Sequence, residues 1–234
     1  MLFRSENFHA IKTSKKKAAC QSGSIINNLK FVDIEIIIQI SVLILSVIIH
    51  EISHGYVAFL LGDPTAKYAG RLNLNPMKHL DVWGSVVIPV LLVLSNAGVI
   101  FGWAKPVPYN PYNLRNQKWG PAMVGLAGPL SNLLLAIIAG FCMRYLNGTG
   151  SVWYDFFEIV AFINILLLIF NMLPIPPLDG SKLLFTILPI SEQTKATLEQ
   201  YGFVILLAFV FIFHNIINTL VSSGWLLFIK LVMG

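Results

Sequence analysis

The feature that most constrains this 234-residue chain is a group of ionisable side chains inside an apolar run: Ile48-Ile49-His50-Glu51-Ile52-Ser53-His54-Gly55. From Asp33 to Leu61 the flanks are almost entirely aliphatic. As a helix that stretch extends about 42 Å, long enough to cross a bilayer with tilt. Ionisable groups at such depth cost several kcal/mol unless they serve one another or a cation. On a helix His50 and His54 lie one turn apart on the same face, so both imidazoles can reach one metal ion, while Glu51 sits about 100° round the axis. The His-Glu-x-x-His spacing therefore predicts a zinc hydrolase layout, with His50 and His54 as metal ligands and Glu51 as the catalytic base. On a solvated helix face the same spacing would be no more than hydrogen-bonded surface, and the apolar flanks argue against that.

Composition places the whole chain in a membrane. Hydrophobic residues make up 56% and charged residues only 12%, and the mean hydropathy is +0.74. A soluble domain carries roughly 25% charged residues. The expected fold is an all-α polytopic membrane protein, a bundle of about five to six transmembrane helices with one short extended or hairpin element. Residues 33–234 are read as a single intramembrane domain, preceded by a flexible basic tail over 1–32. That tail holds Arg4, Lys12, Lys15, Lys16, Lys17 and Lys30 and no apolar core with a cleavage site, so it does not read as a secretory signal. Its basic residues favour the cytoplasmic side. The net charge of +5 comes mostly from this tail and points to lipid contact or topology, with no nucleic-acid partner. Cys20 and Cys142 sit in unlike settings and imply neither a disulfide framework nor a Cys-based metal site.

Along the chain, Gly62-Asp63-Pro64 ends the first hydrophobic segment. Alternation around Arg71-Leu72-Asn73-Leu74 suggests an extended or hairpin piece, and His79, between Lys78 and Asp81, reads as an interfacial residue rather than a ligand. Residues 82–103 are apolar but carry Gly84, Pro89, Asn96 and Gly98, so they either span or re-enter. Gly102 to Arg115, rich in Pro, aromatic and basic residues, reads as an interfacial loop, with a role in substrate access as the alternative. A transmembrane helix is expected from about Pro121 to Tyr145. It carries Gly125, Gly128 and Asn132, the last either joining helices or facing the metal site to hold substrate.

A further span is expected from about Phe156 to Leu173, broken by Pro174-Ile175-Pro176-Pro177 before Leu178-Asp179-Gly180. Irregular backbone at that depth requires a protein-lined or polar cavity, and two histidines leave a catalytic zinc one protein ligand short. Asp179 is the best-placed acidic residue to complete it, a helix-cap role being the alternative. After an amphipathic stretch, one more span is expected from about Tyr201 to Ile217, interrupted by His214-Asn215, then a short apolar end from Trp225 to Met233.

Taken together, His50-Glu51-x-x-His54, Gly128-Pro129-Leu130-Ser131-Asn132 and Leu178-Asp179-Gly180 resemble the site-2 protease family of intramembrane zinc metalloproteases. Gly70-Arg71-Leu72-Asn73-Leu74-Asn75-Pro76 and Gly102-Trp103-Ala104-Lys105-Pro106-Val107-Pro108 extend the likeness to the short form lacking a PDZ or CBS domain. The resemblance implies one zinc ion held by His50, His54 and Asp179, Glu51 as base, and Asn132 as a substrate-holding residue. It also implies hydrolysis of single-span transmembrane proteins within the bilayer of a prokaryotic cell membrane. Glu51 would take the proton of the attacking water and return it to the leaving amine. A zinc-binding membrane transporter or metal sensor is the alternative, although polar residues that could line a path are sparse. The helices bearing His50 and leading to Asp179 run parallel if 82–103 re-enters and antiparallel if it spans. Meeting at one depth is simpler in the parallel case.

Overall fold

The structure, a computed structural model, describes residues 25–88, 91 and 102–234. Most of the basic tail and residues 89–101, apart from Leu91, lie outside the described residues. The architecture is all-helical, and five helices are long and apolar enough to cross a membrane: Ile34–Leu60, Gly120–Leu146, Val152–Asn171, Glu192–Ile212 and His214–Met233. We label the helices α1 (Ile25–Leu60), α2 (Thr65–Tyr68), α3 (Gly120–Leu146), α4 (Val152–Asn171), α5 (Asp179–Ile187), α6 (Glu192–Ile212) and α7 (His214–Met233).

The protein is a multi-pass integral membrane protein, and its outer faces explain why. Ile37, Leu45, Leu134, Phe141, Leu226 and Leu231 are each more than half exposed on the outside of the bundle. Apolar faces that extensive need lipid, since water would drive them together. Tyr68 and Tyr112 are exposed near one end of α1 and α3, and Tyr145 and Trp153 near the other, where amphipathic rings favour headgroup depth.

Helix α1 contains no Gly or Pro before Gly55. It stops at Gly62, whose φ of +108° is open to a residue without Cβ. There Gly62 N donates to Phe59 O at 3.1 Å and Asp63 N to Ala58 O at 2.9 Å, a Schellman closure. The chain then comes back to the same end: Arg115 N donates to Leu61 O at 2.9 Å just before α3 begins. Helix α3 therefore descends antiparallel to α1, and His54 lies by Val124 while His50 lies by Asn132. The short connection 147–151 turns the chain again, so α4 runs parallel to α1. Asn164 Nδ2 donates to Ser46 Oγ at 3.0 Å between α4 and α1.

The segment 82–103 leaves and rejoins the loop region at one point. Trp103 N donates to Gly84 O at 3.1 Å, and a Cβ at Gly84 would collide with the Trp103 indole. The parallel arrangement of α1 and α4 thus goes with a segment whose two ends meet. The path between them lies mostly outside the described residues.

Helix α3 is the centre of the bundle, touching α1, α4, α5 and α7. Its small residues allow this: a Cβ at Gly140 would come within 2.8 Å of Phe228 Cζ on α7. Ala136, Ala139 and Met143 pack with Ala161, Ile165, Trp225 and Phe228. A second cluster joins Leu166 and Phe170 of α4 to Leu178, Leu206, Val210, Ile217 and Val221, clamping the proline segment between α4, α6 and α7.

Three expectations change. The single late span from Tyr201 to Ile217 with a short apolar end is instead two helices, α6 and α7, meeting at Phe213. The 42 residues from Glu192 to Met233 would extend about 63 Å as one helix, twice a hydrocarbon core. Neither Gly nor Pro marks the break, which is why it is hard to read from the chain. No strand forms around Arg71–Leu74 among the described residues; the piece is a bent loop closed by the Pro76–Lys78 turn. His79 is not interfacial: it is 1% exposed, with Nε2 2.8 Å from Asn73 O, closing that loop from inside.

Asp63 ties the loop region together. Fully buried, its carboxylate accepts from Asn110 N (2.6 Å), Asn113 Nδ2 (2.9 Å), Thr65 N (3.2 Å) and Thr65 Oγ1 (2.5 Å). Burial pushes its pKa up, but these donors outweigh it and hold the carboxyl below the usual carboxylate range. A depressed folded-state pKa stabilises the fold above the unfolded value, and that stability is lost as pH falls through the folded one. Asp63→Asn is therefore expected to lower stability by about 1–3 kcal/mol at neutral pH and to flatten the acid limb of the stability curve below about pH 4. Thermal unfolding of the detergent-solubilised protein across pH measures both.

Candidate metal centre

His50 and His54 are both buried on the α1 face that meets α3. Asp179 opens α5 immediately after the proline segment, and it too is buried. Its Oδ2 lies 3.0 Å from His50 Nε2 and 3.1 Å from His54 Nε2. The three ligand atoms all lie within 4.8 Å of one another. His50 precedes the end of α1 by ten residues, so the group sits about 15 Å in from that end.

Glycines keep the space around these atoms open. A Cβ at Gly128 of α3 would fall 2.5 Å from both Nε2 atoms, and one at Gly125 would meet the Lys182 stem at 3.0 Å. Gly180 cannot carry a side chain either, since its Cβ would strike the carbonyl oxygens of Met172 and Leu173. These contacts seat α5 on the end of α4 and aim Asp179 at the histidines.

Hydrogen bonding tests whether the group suits a cation. His54 Nδ1 lies 2.6 Å from Val124 O, and a carbonyl only accepts, so His54 carries its neutral-form proton on Nδ1. Its Nε2 lone pair then faces Asp179 Oδ2 at 3.1 Å. Two acceptors at that distance repel unless a positive charge lies between them. A tetrahedral zinc ion with ligands at about 2.0–2.1 Å sets its donors roughly 3.3 Å apart, close to the spacings here. Two imidazole nitrogens and one carboxylate oxygen are the donor set of a catalytic zinc site.

The surroundings are arranged about the same point. Asp179 Oδ1 accepts from Lys182 Nζ at 2.9 Å, leaving Oδ2 towards the histidines. Lys182 also lies 5.6 Å from the centre of the Tyr109 ring. Burial pushes the Tyr109 hydroxyl above its ordinary value.

Glu51, one residue on from His50, accepts from Val107 N at 2.9 Å. That places the Gly102–Arg115 loop beside the site as well as at the surface. The loop backbone is braced: Arg71 Nη2 donates to Lys105 O and Pro106 O, both at 3.0 Å, and Lys105 N donates to His79 O at 2.8 Å. Asn132 is fully buried, its Nδ2 3.1 Å from His50 Nδ1, while its Oδ1 has no partner.

The chain is similar to proteins carried under the name "Putative zinc metalloprotease". One is YwhC of Bacillus subtilis, 41% identical over 174 residues that cover 70% of this chain and 76% of the relative. Another is Rip2 of Mycolicibacterium smegmatis, 30% identical over 164 residues, 69% of this chain and 62% of the relative. The description "Peptidase family M50" matches residues 149–213, which include Asp179. The chain belongs to peptidase family M50. No solved structure matches. Membership makes it a zinc-dependent peptidase, of the family the opening resemblance implied, and His50, His54 and Asp179 form a possible site for the metal.

Sequence reading missed Val107, Lys182 and Gly128 as parts of this M50 site. Val107 and Gly128 stand in stretches that carried the family likeness, but that Val107 N–H reaches Glu51, that Lys182 reaches Asp179 and that Gly128 lies against the imidazoles is visible only once the helices are packed. Gly128→Ala is expected to displace the imidazoles and reduce zinc from one ion per chain to a small fraction of that, read by elemental analysis of purified protein.

Proposed function

We propose that residues 33–234 form a single metalloprotease domain that cleaves transmembrane proteins inside the bilayer, with His50, His54 and Asp179 as the zinc ligands and Glu51 as the catalytic base. The observation that carries this is the meeting of Asp179 Oδ2 with both Nε2 atoms at 3.0–3.1 Å, about 15 Å in from the end of a spanning helix. When bound there, zinc supplies a Lewis acid that favours ionisation of water and polarises a peptide carbonyl.

The chain's own residues do the rest. Glu51 takes the proton of the attacking water and hands it to the leaving amine. Val107 N–H fixes the carboxylate for both transfers. Asp179 turns a single oxygen to the imidazoles because Lys182 occupies the other. Those histidines stay on one face through the helical register of α1 and the Val124 and Asn132 contacts at their far nitrogens.

A peptide bond in a lipid-embedded helix is already hydrogen-bonded within its own segment, so the substrate must unwind locally before attack. Single-span membrane proteins suit a site at this depth, since one helix leaves the bilayer more readily than a packed bundle. Asn132, expected to hold such a strand, is turned to His50 and fully buried, which supports a role at the metal centre first. Bacterial relatives favour a prokaryotic cell membrane as the site of action.

Glu51→Gln in proteoliposomes with a panel of single-span substrates tests the reading. The variant should keep one zinc per chain and lose cleavage by about 10²–10⁴-fold, and phenanthroline should abolish wild-type cleavage. Zinc flux across the liposome without any cleavage would favour a transporter instead. Undiminished proteolysis by Glu51→Gln would remove the base.

A further inference from the structure

If His50 is a zinc ligand, the reading on which this inference rests, a requirement falls on the other nitrogen of its ring. A neutral imidazole carries one proton. When Nε2 offers its lone pair to the ion, the proton sits on Nδ1, which then needs an acceptor. His54 has one in the Val124 carbonyl, 2.6 Å from its Nδ1.

Among the described residues, the Nδ1 of His50 meets Asn132. As the side chain stands, the amide nitrogen Nδ2 faces His50 Nδ1 at 3.1 Å. An amide NH2 can only donate, so in this arrangement Nδ1 accepts and the ring proton lies on Nε2, pointing at Asp179 Oδ2 at 3.0 Å. That set of bonds satisfies His50 alone, and it denies the ion the Nε2 lone pair. A half-turn of the amide exchanges two atoms of nearly equal size. It brings Oδ1, which is buried and has no partner, onto the Nδ1 proton. The same turn leaves the NH2 where the unpartnered oxygen was, so the number of bonds does not choose between the orientations. The zinc ligand does.

We infer that Asn132 is a positioning residue of the metal centre: in the zinc protein its Oδ1 accepts the Nδ1 proton of His50, fixing the tautomer and the ring angle that present Nε2 to the ion. Its place in the fold suits this. Asn132 stands one turn after Gly128 on the same face of α3, so the residue that leaves room for the two Nε2 atoms and the residue that orients one ring come from a single helix stripe. Full burial keeps water from supplying the acceptor instead.

Two variants of the purified full chain separate acceptor from bulk. Asn132→Asp keeps an oxygen at the position; Asn132→Leu keeps the volume and removes it. Zinc affinity, measured by competition with a chromophoric chelator, should fall about 10–100-fold in Asn132→Leu and remain at or above the wild-type value in Asn132→Asp. Thermal unfolding of the zinc-free forms shows whether either variant folds. Nitrogen-15 NMR of histidine-labelled wild-type protein loaded with zinc needs no variant at all, and should find His50 protonated at Nδ1. The inference is overturned by an unprotonated Nδ1, by a folded Asn132→Leu that holds zinc as the wild type does, or by a folded Asn132→Asp that loses zinc as fully as Asn132→Leu. Wild-type protein that binds no zinc through His50 would instead overturn the ligand reading itself.

Discussion

The arrangement of this molecule depends on one contact, the approach of a single carboxylate oxygen of Asp179 to the Nε2 atoms of His50 and His54. Burying a carboxylate is costly, and burying it against a lone pair is more so, unless a cation joins them. Everything around the contact directs it. Lys182 takes the second carboxylate oxygen, Gly180 lets α5 sit directly on the carbonyl end of α4, and Gly128 removes the side chain that would otherwise fill the space. The candidate metal centre thus draws on α1, on the proline-broken end of α4, and on a stripe of small residues on α3.

The loops at one end of the bundle form a brace for Glu51, built from hydrogen bonds and a few apolar contacts. Asp63 gathers Thr65, Asn110 and Asn113; Arg71 and His79 hold the backbone of Lys105 and Pro106; the next residue, Val107, donates to Glu51. Leu72 and Val107 also press against Gly55, one residue beyond His54, where a Cβ would come within 2.8 Å of either side chain. The polar motifs that flank the first span therefore act at a distance on the carboxylate of Glu51, through a chain of satisfied backbone groups. Such groups cannot be left unpaired near lipid, so bracing the base and satisfying the loop are one requirement.

Much of this is legible in the amino-acid order. The His-Glu-x-x-His spacing sets two imidazoles on one face because a helix repeats every 3.6 residues. Long apolar segments become spans because lipid leaves the backbone no other partner, and Pro174, Pro176 and Pro177 end a helix because they lack the donor that would continue it. The helix break at Phe213 was marked only by the polar pair His214-Asn215, with no Gly or Pro beside it, and the thickness of a bilayer is what requires the chain to turn there.

Local sequence by itself determined the main apolar helices, their lipid-facing sides and the one-turn spacing of His50 and His54, because each follows from short-range geometry and from the cost of polar groups in lipid. Tertiary structure alone brought Asp179, the carboxylate expected from the sequence, into contact with the imidazoles, set Val107 N–H rather than a side chain on Glu51, and laid Asn132, read as either joining helices or facing the site, against His50. These are encounters between residues 56 to 129 positions apart in the chain, and no local propensity records them. They arise only when small residues let α1, α3 and α4 approach closely enough for their few polar groups to find one another.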